Sequence, residues 1–73
     1  MKAKNAIVGA KVQIERSSKW YSGQSVHNPK DTTGCITSFS LEADTAGDFS
    51  TAVYWDNGCT NIYRLVDLKL VKE

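Results

Sequence analysis

The tripeptide Asp56-Asn57-Gly58 constrains this chain more than any other segment. It separates two runs rich in β-branched and aromatic residues. Asn-Gly in that setting predicts a two-residue type I′ turn, with positive φ at both central positions. The turn pairs Thr51–Asp56 with Cys59–Arg64 as an antiparallel hairpin. On the first arm Val53 and Trp55 share one face while Ala52 and Tyr54 share the other, because side chains alternate along a strand. A chain of 73 residues that contains such a hairpin has room for one domain, residues 1–73, with its core over about 7–71.

The remaining strands follow from the same period. Ile7–Glu15 alternates after Gly9, with Ala10, Val12 and Ile14 dry and Lys11, Gln13 and Glu15 wet. Gly34–Leu41 is a second strand. Ile36 and Phe39 break its period of two, so a bulge near Thr37 and Ser38 is needed to turn both inward. Glu42–Asp48 reads as a polar turn, and Phe49–Asp56 as the next strand. Leu65-Val66-Asp67 makes one tight helical turn before a short strand over Leu68–Val71. The expected core is Ala10, Val12, Ile14, Ile36, Phe39, Val53, Trp55 and Leu68. The fold class is all-β: five short strands closing into a small barrel, which leaves few open edges.

Arg16–Thr33 loses the alternation and is rich in Ser, Gly, Asn and Pro, so it forms a long first loop. Long loops in compact domains are commonly functional. This one also carries Trp20 and Tyr21, a pair that mere connection does not require. Trp20 is either a lid pinned to the core or a contact residue, and both readings stand.

Little in the chain suggests chemistry. Hydrophobic residues make up 41% and charged residues 23%, enough apolar surface to fold. No run approaches the ~20 apolar residues of a membrane helix, so no membrane partner is expected. Met1-Lys2-Ala3-Lys4 leads into strand-like sequence without an apolar leader, which reads as cytoplasmic. Cys35 and Cys59 are read as unbridged thiols. With His27 they make too few ligands for structural zinc, so neither metal nor cofactor is expected. A single histidine, scattered carboxylates and dispersed glycines offer no catalytic constellation or phosphate loop. The protein is expected not to be an enzyme.

Charge is uneven although the net value is +1. Residues 1–30 hold six basic side chains against Glu15, and residues 31–67 hold six acids against Arg64. The leading expectation is a non-catalytic protein- or peptide-binding module. Its surface is Trp20, Tyr21, Gln24 and His27 on the long loop, with Tyr54 beside them, since aromatics are enriched at interface hot spots. The alternative is a nucleic-acid-binding barrel using Lys11, Arg16, Lys19 and Lys30 interleaved with aromatics. A net charge near zero weighs against that alternative.

The order of motifs resembles a known family. Gly9-x-x-Val12, Trp20-x-x-Gly23-Gln24, Gly34-x-Ile36, Val53-x-Trp55-Asp56-Asn57-Gly58, Tyr63-Arg64 and Asp67-Leu68 occur in that sequence. Together they resemble the SH3-like repeat domain of Mind-bomb-type ubiquitin ligases and, more loosely, Tudor and KOW barrels. The likeness spans residues 9–71, and its most specific portion is the Trp-Asp-Asn-Gly to Asp-Leu stretch. It implies a five-stranded SH3-like barrel that recognises peptide segments of other proteins. Two departures fall in the long loop. Ser22 stands where the family has a second tryptophan, and Ser25-Val26-His27-Asn28-Pro29 stands where it has glycines. The family's ligands are therefore not carried over. A free-standing copy opening on Met1 looks similar to a small microbial or phage protein.

Overall fold

Strand formation follows the alternation closely. A computed structural model describes residues 1–22, 27–29 and 31–71. The strands are β1 (Lys11–Ile14), β2 (Gly34–Phe39), β3 (Thr51–Trp55), β4 (Thr60–Tyr63) and β5 (Leu68–Leu70). They form one five-stranded antiparallel sheet in the order β4-β3-β2-β1-β5, so the architecture is broadly all-β. Two single-turn helices, α1 (Lys19–Ser22) and α2 (Leu41–Thr45), and 3₁₀ turns at Ala3–Asn5 and Leu65–Asp67 lie in the connections. No helix among the described residues is long and apolar enough to cross a membrane.

One face of the sheet carries the core. Val12, Ile14, Ile36, Val53, Trp55 and Leu68 are buried, while Ala10 and Phe39 pack against them half-buried. Ala6, Tyr63 and Leu65 also belong to this cluster. Trp55 and Tyr63 meet edge to face, 5.7 Å between centroids at 81°. Such a pair adds about 0.5–1.5 kcal/mol beyond its burial. The bulge is where the broken period demands it. Ile36 pairs with Val53 and Ser38 with Ala52, so Thr37 is the extra residue and Phe39 regains the inner face opposite Thr51.

Gly34 faces Trp55 across the ladder. A Cβ there would lie 2.7 Å from Trp55 Cε3 and 2.7 Å from Val53 Cγ1. Only glycine lets β2 run this close to the indole.

The hairpin turn differs from expectation. Gly58 has φ of 90°, but Asn57 does not adopt positive φ, which excludes the type I′ turn. The Gly58 N–H donates to the Trp55 carbonyl (2.9 Å), and the Trp55 N–H donates to the Cys59 carbonyl (2.8 Å). This is a three-residue loop ending in a glycine bulge, one residue longer than a two-residue turn. The Asn57 side-chain oxygen accepts from the Cys59 N–H at 3.0 Å, which holds Asn57 outside the left-handed region.

Three boundaries also move. The first strand is confined to Lys11–Ile14, and Ile7 and Val8 are exposed in a preceding turn. The second ends at Phe39 and the third starts at Thr51. Between them the expected polar turn is α2, because the Ser40 hydroxyl accepts from the Ala43 N–H and caps the first turn. Cys35 and Cys59 are both free, as expected.

Candidate functional site

The long β1–β2 connection is held at its two ends by side chains from the far end of the chain. At the first end, buried Ser18 donates through Oγ to Asp67 Oδ1 (2.9 Å) and accepts from the Trp20 N–H (3.2 Å). Asp67 is buried too, and its Oδ2 lies 3.6 Å from Arg64 Nε. The anchored chain then makes the single turn of α1. That turn sets both Trp20 and Tyr21 half-buried against the core, whereas an extended chain would point them apart.

At the second end, the Tyr63 hydroxyl lies 2.8 Å from the His27 carbonyl oxygen and 2.7 Å from Asn28 Oδ1. Its one proton serves one acceptor at a time. Asn61 Nδ2 donates to the same two oxygens at 3.1 Å each. Trp55 Nε1 donates to the Tyr63 oxygen at 3.1 Å. Burial pushes the Tyr63 phenol above its usual 10.0, outweighing the opposing hydrogen bonds from Trp55 and Asn61. Tyr63 thus stays a neutral donor, joining the core indole to the loop.

These pins leave a groove of about 130 Å³ lined by Trp20, Asn28, Phe49, Asn61 and Ile62. Trp20 comes from α1 and Asn28 from the return of the long loop. Phe49 precedes β3, and Asn61 and Ile62 come from β4. Phe49 is 48% exposed and Ile62 52% exposed, so two large apolar side chains stand in water at its mouth. Ser50 fixes Phe49 from the next position. Its N–H donates to the Tyr63 carbonyl (3.0 Å), and its hydroxyl donates to Asp44 Oδ1 (3.2 Å). The indole Nε1 of Trp20 is buried with no hydrogen-bond partner among the described residues. Lys19 Nζ lies 4.7 Å from the centre of the Trp20 ring, and Asp48, beside Phe49, is exposed. None of the five lining residues is charged.

Of the residues expected at the site, Trp20 lines the groove and also packs on the core. Tyr21 turns its hydroxyl to the Asp31 carboxylate, 3.1 Å from Oδ1. The His27 side chain is exposed while its backbone carbonyl is held by Tyr63. Tyr54 is exposed on the outer face of β3, in a cross-strand row with Lys11, Cys35 and Thr60, and does not line the groove. Gln24 and Lys30 lie outside the described residues. Of the other three cations, Lys11 donates to Cys35 Sγ at 3.1 Å on the outer face, Arg16 is exposed on the turn after β1, and Lys19 is at the groove.

Phe49 and Ile62 were not foreseen. The alternation that buries Tyr63 leaves Ile62 on the wet face, a signal legible in the sequence; Phe49, outside the strand, carried none. No family model, curated protein or solved structure matches the chain.

Proposed function

We propose that this protein is a non-catalytic peptide-binding module whose groove takes one apolar side chain of its partner between Trp20, Phe49 and Ile62. The observation that carries this reading is the exposure of Phe49 and Ile62 beside Trp20 in a groove with no charged lining residue. A cavity near 150 Å³ holds one benzene-sized ring, whereas pockets for whole small ligands run to about 300–1,000 Å³. At about 130 Å³ the groove suits a single ring or branched side chain.

The fold we propose is an SH3-like barrel, the fold implied by the resemblance to Mind-bomb-type repeats. Its support is the link between the two edge strands, β4 and β5. A flat five-stranded sheet is about 19 Å across. Three residues of 3₁₀ helix rise only about 6 Å. The Leu65–Asp67 turn joins those edges, which favours a strongly curled sheet.

The test is selection of peptides from a random display library, followed by amide chemical-shift mapping on the labelled protein. Selected peptides should shift the Trp20 indole N–H, Phe49, Asn61 and Ile62, and Phe49→Ala should weaken them at least about tenfold. Failure to select a binder, or shifts centred on Tyr54 and Lys11, would overturn the assignment. A single-stranded oligonucleotide is the control. With about four phosphate contacts its affinity would fall more than tenfold between 50 and 200 mM salt, and tight binding of that kind would favour the alternative.

A further inference from the structure

The reactivity of an asparagine depends on the residue after it. The next backbone nitrogen can attack the side-chain carbon Cγ, closing a succinimide ring and expelling ammonia. The chain has four asparagines, Asn5, Asn28, Asn57 and Asn61, and only Asn57 precedes glycine. Gly58 has no Cβ to hinder the approach of its nitrogen. Asn28 precedes Pro29, whose nitrogen has no proton to lose. Asn61 precedes the β-branched Ile62, whose N–H donates to Asn61 Oδ1 at 2.9 Å. Asp56, Asn57 and Gly58 are all exposed, so water reaches the turn.

The closed turn nevertheless holds both reacting groups. The Gly58 N–H donates to the Trp55 carbonyl (2.9 Å), which keeps the proton on the nitrogen that has to give it up. Asn57 Oδ1 accepts from the Cys59 N–H (3.0 Å), which fixes the side-chain amide. Both bonds lie at the exposed end of the hairpin, where local opening costs least.

We propose that Asn57 is a site of spontaneous modification gated by this turn, spared while the turn is closed and converted to isoaspartate and aspartate when it opens. In the opened turn the Gly58 nitrogen passes its proton to solvent base and bonds to Asn57 Cγ. The Cγ–Nδ2 bond breaks, and the leaving nitrogen takes up a proton from solvent and departs as ammonia. Water then opens the ring. Cleavage between Gly58 N and Cγ gives aspartate, and cleavage between Gly58 N and the Asn57 main-chain carbonyl carbon gives isoaspartate. The net change is gain of water and loss of ammonia, with no oxidant or reductant. Aspartate keeps the backbone and the acceptor for the Cys59 N–H. Isoaspartate adds a methylene to a three-residue loop and places a carboxylate beside Asp56. None of this chemistry depends on what the groove binds.

The test is to age the full-length protein in mildly alkaline buffer, folded and in guanidinium chloride. Peptide mapping with isoaspartyl methyltransferase labelling follows each asparagine. In denaturant Asn57 should be converted first, and Gly58→Ala should slow it several-fold. In the folded protein conversion should be at least about tenfold slower, with similar protection of the Gly58 amide in hydrogen exchange, since both require the same opening. The isolated isoaspartyl form should melt below the Asn57→Asp variant. Earlier conversion of another asparagine, or a rate in denaturant indifferent to Gly58→Ala, overturns the assignment of the site. Equal rates folded and unfolded overturn the gating, as does a freely exchanging Gly58 amide beside an intact Asn57. Equal melting of the isoaspartyl and Asn57→Asp forms overturns the damage assigned to the longer loop.

Discussion

The β3–β4 hairpin and the long β1–β2 connection are built on opposite principles. The hairpin is held by its own backbone ladder, four successive pairs from Thr51↔Tyr63 to Tyr54↔Thr60, and by a turn whose partners are neighbours in sequence. The connection has no such ladder. Its described ends are fixed by Ser18–Asp67, 49 residues apart in the chain, and by His27–Tyr63, 36 residues apart. The hairpin is locally encoded; the connection takes its shape only when the rest of the fold is present. The groove lies where the two meet, with Trp20 and Asn28 from one and Asn61 and Ile62 from the other. A surface assembled in this way can be altered on one side while the other remains intact.

The largest effect should come from the element both regions share. Trp55 is fully buried beneath the hairpin and hydrogen-bonded to the tyrosine that pins the connection. Trp55→Ala should cost on the order of 3–5 kcal/mol. A domain this small has little to spare, so hairpin and connection should unfold together in chemical denaturation. A stable Trp55→Ala protein of near-normal midpoint would contradict the core described here.

Gly34→Ala should follow, at about 1–3 kcal/mol, because the added methyl meets Trp55 and Val53 at contact-breaking distance. Measured by the same denaturation, a neutral outcome would mean that β2 can shift away from Trp55.

Tyr63→Phe separates the two regions. Removing the hydroxyl leaves the buried Trp55 Nε1 without its acceptor, at a cost of about 1–3 kcal/mol, and leaves the His27 carbonyl with Asn61 Nδ2 alone. Amide exchange should accelerate at His27 and Asn28 while the β3–β4 ladder stays protected. The phenol also imposes a pH dependence. Its folded value lies above the usual 10.0, so the stability it contributes is complete below about pH 10 and is lost as pH rises through the folded value. The wild-type denaturation midpoint should therefore fall above pH 10 more steeply than that of Tyr63→Phe. Parallel curves would remove Tyr63 as the alkaline-sensitive group.

The smallest effect is at the turn. Gly58→Ala places a Cβ at φ of 90°, costing about 1 kcal/mol through backbone strain alone, since nothing lies within 4 Å of that Cβ. Asn57→Gly should lower the thermal midpoint slightly, a loss of about 0.5–1 kcal/mol, because it removes the acceptor of the Cys59 N–H and frees the unfolded chain while there is no positive φ for glycine to relieve. A marked stabilisation by Asn57→Gly would point back to a two-residue turn.

Five strands, the inward faces of β1 and β3, the bulge at Thr37 and the helical turn over Leu65–Asp67 were legible in the sequence, although the limits of the strands were not. Each of these rests on a local period or on the steric demands of a few neighbouring residues. The sequence also carried the tie between Ile62 and Tyr63, since burying one of two adjacent strand residues exposes the other. Tertiary structure decided the rest. The turn is the exception and a local matter: the Asn57 side-chain bond to Cys59, two residues on, keeps Asn57 out of the left-handed region, which a two-residue reading of Asn-Gly does not anticipate. Trp20 and Tyr21, read from an extended loop as pointing apart, came to pack together on the core through the helical turn that Ser18 and Asp67 anchor. Phe49 joined Trp20 and Ile62 because Ser50 ties its segment to Tyr63 and Asp44. Hydrogen bonds between residues so distant in the chain leave no period in the sequence, so the groove they assemble became visible only in the folded molecule.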